Sequence, residues 1–132
     1  MAADLYSDDL ASTKEVAQEL LHSVRDAQTV KDLFKAMNQI NMYLFVKGND
    51  QLLMEAGAPP IVAAALETWD DLNIKLSCAE LIAALSRKNG EDAEAFANEG
   101  VLEMLVPLAS ETTRGHYHNA TYALYEMTKT SI

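Results

Sequence analysis

Apolar positions along this chain recur at helical spacing, and the helical pattern itself recurs at a longer one. Ala36, Cys78 and Ala120 are small residues standing 42 positions apart. Four past each lies a large aliphatic side chain, Ile40, Ile82 or Leu124. Seven past each lies another large apolar one, Tyr43, Leu85 or Met127. Positions i, i+4 and i+7 share one face of an α-helix, so each set marks a buried helical stripe. A stripe returning at a fixed period in this range is the signature of stacked helical repeats.

The finer pattern predicts the individual elements. Ser12-Thr13-Lys14-Glu15 has the form of a capping box with Ser12 as the cap, and Val16, Leu20, Leu21 and Val24 follow on one side of a helix. Arg25-Asp26-Ala27-Gln28 breaks that helix. A longer one is predicted over 29–47, with Val30, Leu33, Phe34, Met37, Ile40 and Leu44 as its stripe and Gly48 as its stop. The next unit repeats the plan in full. A short helix over 50–56 ends at Gly57, and a second opens at Pro59-Pro60, where a missing N–H costs nothing. Asp70 or Asp71 caps a third, which runs to about 88. A further unit has a short helix over 91–98, Gly100, a helix over 101–109, and a last helix from His116 toward Ile132. No stretch alternates as a strand would. The expected fold class is therefore all-α, with an acidic tail or cap over 1–11 and one repeat domain over 12–132. Its repeats span about 12–48, 49–90 and 91–132.

Gly57-Ala58-Pro59-Pro60-Ile61-Val62 and the run from Gly100-Val101-Leu102 to Pro107-Leu108 resemble the armadillo repeat. In that family a glycine follows a short first helix, a second helix opens on small or apolar residues, and the third carries the small–aliphatic–apolar face. The resemblance covers about residues 13–132 and is closest in the second and third repeats. HEAT repeats are similar in length but lack this glycine placement. The resemblance implies a right-handed α-solenoid of about three repeats, whose third helices line a concave groove for extended or helical partner segments. It also implies a binding module in place of an enzyme. Importin-α carries a tryptophan–asparagine ladder on this face. Here those positions hold Asn38, Glu80 and Tyr122, and Met42, Ala84 and Glu126, so recognition of nuclear localisation signals by that ladder is not expected.

Charge narrows the partners. The 132 residues carry a net charge of −10, which disfavours nucleic acid and anionic membrane surfaces and favours a protein with a basic segment. No apolar run reaches a membrane-spanning length, and residues 1–9 lack the basic flank and apolar stretch of a signal peptide. A single cysteine, Cys78, suits a reducing compartment, cytoplasm or nucleus. Asn119-Ala120-Thr121 matches a glycosylation acceptor but falls in a segment that reads as buried helix.

Reactive chemistry is sparse. His116 and His118 point to different sides of a helix and have no ligand cluster nearby in sequence, so no metal is expected. Cys78 occupies the small buried slot and reads as inert. The acidic run Glu91-Asp92-Ala93-Glu94 suits a helix N-terminus, and it lacks the central glycine of a calcium loop. Phosphate loops and nucleophile elbows are missing, so neither enzymatic activity nor a cofactor is expected.

Binding residues follow from the helical period. The face beside the core stripe carries Phe34, Asn38, Met42 and Phe45 in the first repeat. It carries Leu76, Glu80, Ala84 and Arg87 in the second, and His118, Tyr122, Glu126 and Lys129 in the third. Trp69, in a loop, is either a lid over the core or a second contact. The expected function is an adaptor that docks a partner segment on these rows. The alternatives are self-association, as a homodimer through the terminal apolar face of Leu105, Tyr125, Met127 and Ile132 or as part of a longer solenoid, and a co-chaperone-like regulator.

Overall fold

The computed structural model describes residues 11–87, 90–109 and 125–126. Among these the chain is all-helical, without a strand. The helices are α1 (Lys14–Asp26), α2 (Val30–Tyr43), α3 (Asn49–Glu55), α4 (Ala58–Thr68), α5 (Leu72–Ser86), α6 (Gly90–Ala97) and α7 (Val101–Ala109). The predicted last helix lies outside the described residues except for Tyr125 and Glu126, which are helical.

The chain divides into two compact units, and the boundary falls inside α4, between Ile61 and Val62. In the first unit α1 packs on both α2 and α3. Val16, Ala17, Leu20, Leu21 and Val24 of α1 are buried, as are Leu33, Ala36, Met37, Ile40 and Tyr43 of α2 and Leu53 of α3. Tyr43 ties the three together. Its hydroxyl donates to the Thr13 carbonyl at 2.8 Å, and its own carbonyl accepts from Asn49 Nδ2 at 2.8 Å. In the second unit α6 packs on α5 and α7, and Phe96 and Leu105 are fully buried.

The 42-residue period is visible in local structure. Thr29 caps α2 by accepting from the Asp32 N–H at 3.0 Å, and Asp71, 42 positions on, caps α5 by accepting from the Ile74 N–H at 3.0 Å. Ala36 and Cys78, Ile40 and Ile82, and Tyr43 and Leu85 are buried pairwise. Gly57 (φ +99°) and Gly100 (φ +81°) both release a short helix into the next one through the left-handed region, which glycine enters without a Cβ penalty.

Three sequence expectations are corrected. Thr13, and not Ser12, is the cap of α1, its hydroxyl accepting from the Val16 N–H at 3.2 Å. The third helix of the first repeat ends at Tyr43, four residues before the expected end. Its last turn tightens, with the Phe45 N–H bonded to Met42 O and the Val46 N–H to Tyr43 O. Asn49 then takes the carbonyl that a continuing helix would offer to residue 47. The helix after Asp71, the second of the expected alternatives, closes at Ser86.

Candidate functional site

The three predicted binding rows meet different fates. In the first, Asn38 is exposed and Phe34 and Met42 are half-buried on α2. Phe45 does not continue their row, because it lies beyond the helix in the tightened turn. There it is 86% exposed, and Val46 beside it is exposed as well. In the second row Glu80 and Arg87 are exposed and Ala84 is half-buried, but Leu76 is only 6% exposed and offers no surface. The reason is that α5 is apolar nearly all round, and a helix of that kind is covered on more than one side. Of the third row only Glu126 is described. It is 4% exposed, so it too is withdrawn from the surface; His118, Tyr122 and Lys129 lie outside the described residues.

Trp69 is half-buried, and its N–H continues the last turn of α4 onto the Ala65 carbonyl at 3.2 Å. Of the expected terminal face, Leu105 is corrected to a core residue with no exposure, whereas Tyr125 is exposed and Met127 and Ile132 lie outside the described residues.

Among the described residues each unit holds a concavity. In the second unit a cleft of about 500 Å³ is lined by Leu66, Leu72, Met104, Leu108 and the polar Glu67, Asp70 and Lys75, with Pro107 at its wall. Lys75 donates from Nζ to the Leu66 carbonyl at 2.7 Å and so holds the start of α5 to the end of α4. In the first unit a smaller cavity, about 240 Å³, lies between α1 and α2. Leu20, Ala27 and Ala36 form its apolar part, and Ser23, Asp26, Asp32 and Gln39 its polar part. Sequence reasoning missed this second group. The signal was available: the positions 42 residues after Ser23, Asp32 and Gln39 are Ala65, Ile74 and Leu81, all apolar and all buried.

The chemistry of the described residues is quiet. Burial pushes the Cys78 thiol up to about 12, so no thiolate forms at neutral pH. No group of three or more His, Cys, Asp or Glu among the described residues could hold a metal ion. His116 and His118 lie outside them. No described helix is long and apolar enough to cross a membrane. Arg25 and Asp26 pair at 2.8 Å on the surface. Hydrogen bonding to Arg25 is the main cause that holds the Asp26 carboxyl below its ordinary value.

Compared with models of known protein families and with curated proteins, the chain matches none.

Proposed function

We propose that this chain is an armadillo-like α-solenoid that works as a protein-interaction module, docking an extended or helical partner segment beside its third helices. The observation that carries this reading is the exposure of Phe45. A phenylalanine and a valine stand next to each other in solvent at the end of α2, above half-buried Met42. Adjacent exposed apolar side chains are uncommon on an isolated surface and typical of contact surfaces. Asn38, exposed on α2, adds a polar group, as an interface rim requires. The net charge of −10 favours a partner with a basic segment.

The test is quantitative capture of partners by the wild-type chain and by Phe45→Ser, with thermal melting of both. A contact anchored on Phe45 loses roughly thirtyfold or more in affinity, the scale of a hot-spot residue, at unchanged melting temperature. Equal capture by the folded variant rules Phe45 out.

Self-association is favoured by a separate observation. Val106 and Tyr125 are 54% and 57% exposed. A sedimentation coefficient that stays at the monomer value at every protein concentration would exclude it.

A further inference from the structure

Two exposed features of the chain complement each other. The first is a projection at the end of α2. Phe45 is 86% exposed and Val46 48%, and Lys47 next to them is exposed too. The backbone beneath them is fixed: the Phe45 N–H bonds to Met42 O at 3.1 Å, and Val46 O accepts from the Asn49 N–H at 3.2 Å. A held turn presents its side chains with little ordering left to do on contact.

The second feature is the cleft of about 500 Å³ in the second unit. Leu72 and Met104 are half-buried there and Pro107 is exposed, so an entering apolar side chain meets apolar walls. Glu67 and Asp70 line the cleft and are exposed, and Lys75, the cation in its lining, spends Nζ on the Leu66 carbonyl. Among the described residues neither Glu67, Asp70 nor Lys47 is in an ion pair. The cleft therefore suits an apolar side chain flanked by a positive charge, and the projection is apolar, apolar and basic in turn.

The repeat does not call for either feature. The residues 42 positions after Phe45, Val46 and Lys47 are Arg87, Lys88 and Asn89, all polar. Those 42 positions before Glu67 and Asp70 are Arg25 and Gln28, neither of them acidic. The apolar projection is thus particular to the first unit and the acidic edge to the second.

We infer that this chain associates with itself head to tail: Phe45 and Val46 of one copy enter the second-unit cleft of another, where Lys47 meets Glu67 and Asp70. The contact joins unlike surfaces, so every copy in a pair leaves one projection or one cleft unfilled, and assembly continues past the dimer unless a ring closes. The inference rests on the same exposed Phe45 as the docking reading and adds that a second copy covers it when no partner does.

The test is sedimentation velocity of the purified full chain over a range of concentrations. The wild-type coefficient is expected to climb above the monomer value. Phe45→Ser should weaken association roughly thirtyfold or more, and Glu67→Lys with Asp70→Asn about tenfold or more. All three positions are exposed, and thermal melts check that the variants fold. Should a melt change, Lys47→Glu replaces the first variant and Pro107→Lys the second, again at exposed positions. Mixing the two variants is the decisive step. One retains the cleft and the other the projection, so together they should form a complex of one copy of each at close to wild-type affinity. A wild type that stays at the monomer value, association unchanged in both variants, or a mixture no more associated than its parts would each overturn the inference. Because no partner protein is present, these outcomes leave partner capture through Phe45 standing, and equal capture by Phe45→Ser leaves the mixing result standing.

Discussion

Removing either end of the Tyr43 strap should have unequal cost, and the inequality follows from who is left without a partner. Asn49 is almost completely buried, and its Nδ2 donates to the Tyr43 carbonyl. Asn49→Ala deletes that bond. Among the described residues the other donor to this carbonyl is the Val46 N–H at 3.4 Å, which is long and weak. The loss therefore combines one hydrogen bond, about 1 kcal/mol, with much of the penalty for an orphaned buried carbonyl, about 1–3 kcal/mol. A total of about 2–3 kcal/mol is expected. Tyr43→Phe removes a bond of the same length to the Thr13 carbonyl. That carbonyl keeps the Ala17 N–H at 3.1 Å, so no acceptor is orphaned and the ring still fills its place. About 1 kcal/mol is expected. Urea unfolding followed by circular dichroism measures both. Each midpoint shift, multiplied by a common slope, gives the free-energy change. A larger loss for Tyr43→Phe than for Asn49→Ala, or a loss below about 0.5 kcal/mol for Asn49→Ala, would refute the reasoning.

Other consequences are as direct. Gly57→Ala should destabilise by about 1–2 kcal/mol through backbone strain alone, since φ is +99° and a Cβ there meets no atom within 4 Å; a variant as stable as wild type in the same urea experiment would contradict this. Asp71→Ala should cost about 1 kcal/mol by uncapping α5, and Asp71→Ser or Asp71→Asn should recover most of it in a thermal melt. The Cys78 thiol is raised from an ordinary value of 9.0 to about 12, so the folded protein holds its proton more tightly than the unfolded one. Its contribution to stability is complete below pH 9 and is lost as pH rises from 9 to 12. The slope is about 1.4 kcal/mol per pH unit. Wild type should therefore lose stability relative to Cys78→Ala steadily over that window in urea unfolding; a constant difference would refute the assignment. Native Cys78 should also resist iodoacetamide at pH 8 and react once unfolded, as mass spectrometry would show.

The helical frame was legible because its signals are local. A small residue followed by apolar ones at i+4 and i+7 identified the buried stripes of α2 and α5, and Gly57 and Gly100 marked the ends of two short helices. What escaped was decided by contacts or backbone angles that adjacent residues share equally. Ser12 and Thr13 are equally good caps by composition, and only the extended backbone of Thr13 selects it. Leu44, Val46 and Lys47 do not look like helix breakers; the helix stops there because a side chain six residues past Tyr43 claims its carbonyl. One apolar stripe per helix puts Leu76 on a binding row, whereas α5 is covered on several sides.

That difference between α2 and α5 also indicates where functional information sits in a repeated fold. Thr29 and Asp71, Ile40 and Ile82, and Tyr43 and Leu85 do equivalent structural work at equivalent positions, so they say little about partners. Asp32 and Gln39 correspond in sequence, 42 residues apart, to Ile74 and Leu81, and there the chemistry changes from core to acceptor. Since the shared frame folds with either pair, stability alone does not explain a buried, unbonded amide oxygen in one copy. Replacing Gln39 by leucine asks this directly. If the frame is interchangeable, Gln39→Leu should be neutral or stabilising by up to about 1–2 kcal/mol, because it trades an unsatisfied acceptor for apolar contact with Leu20 and Ala36. A destabilisation beyond about 1 kcal/mol in urea would instead make Gln39 a structural residue of this helix pair, its amide held by a donor in solution.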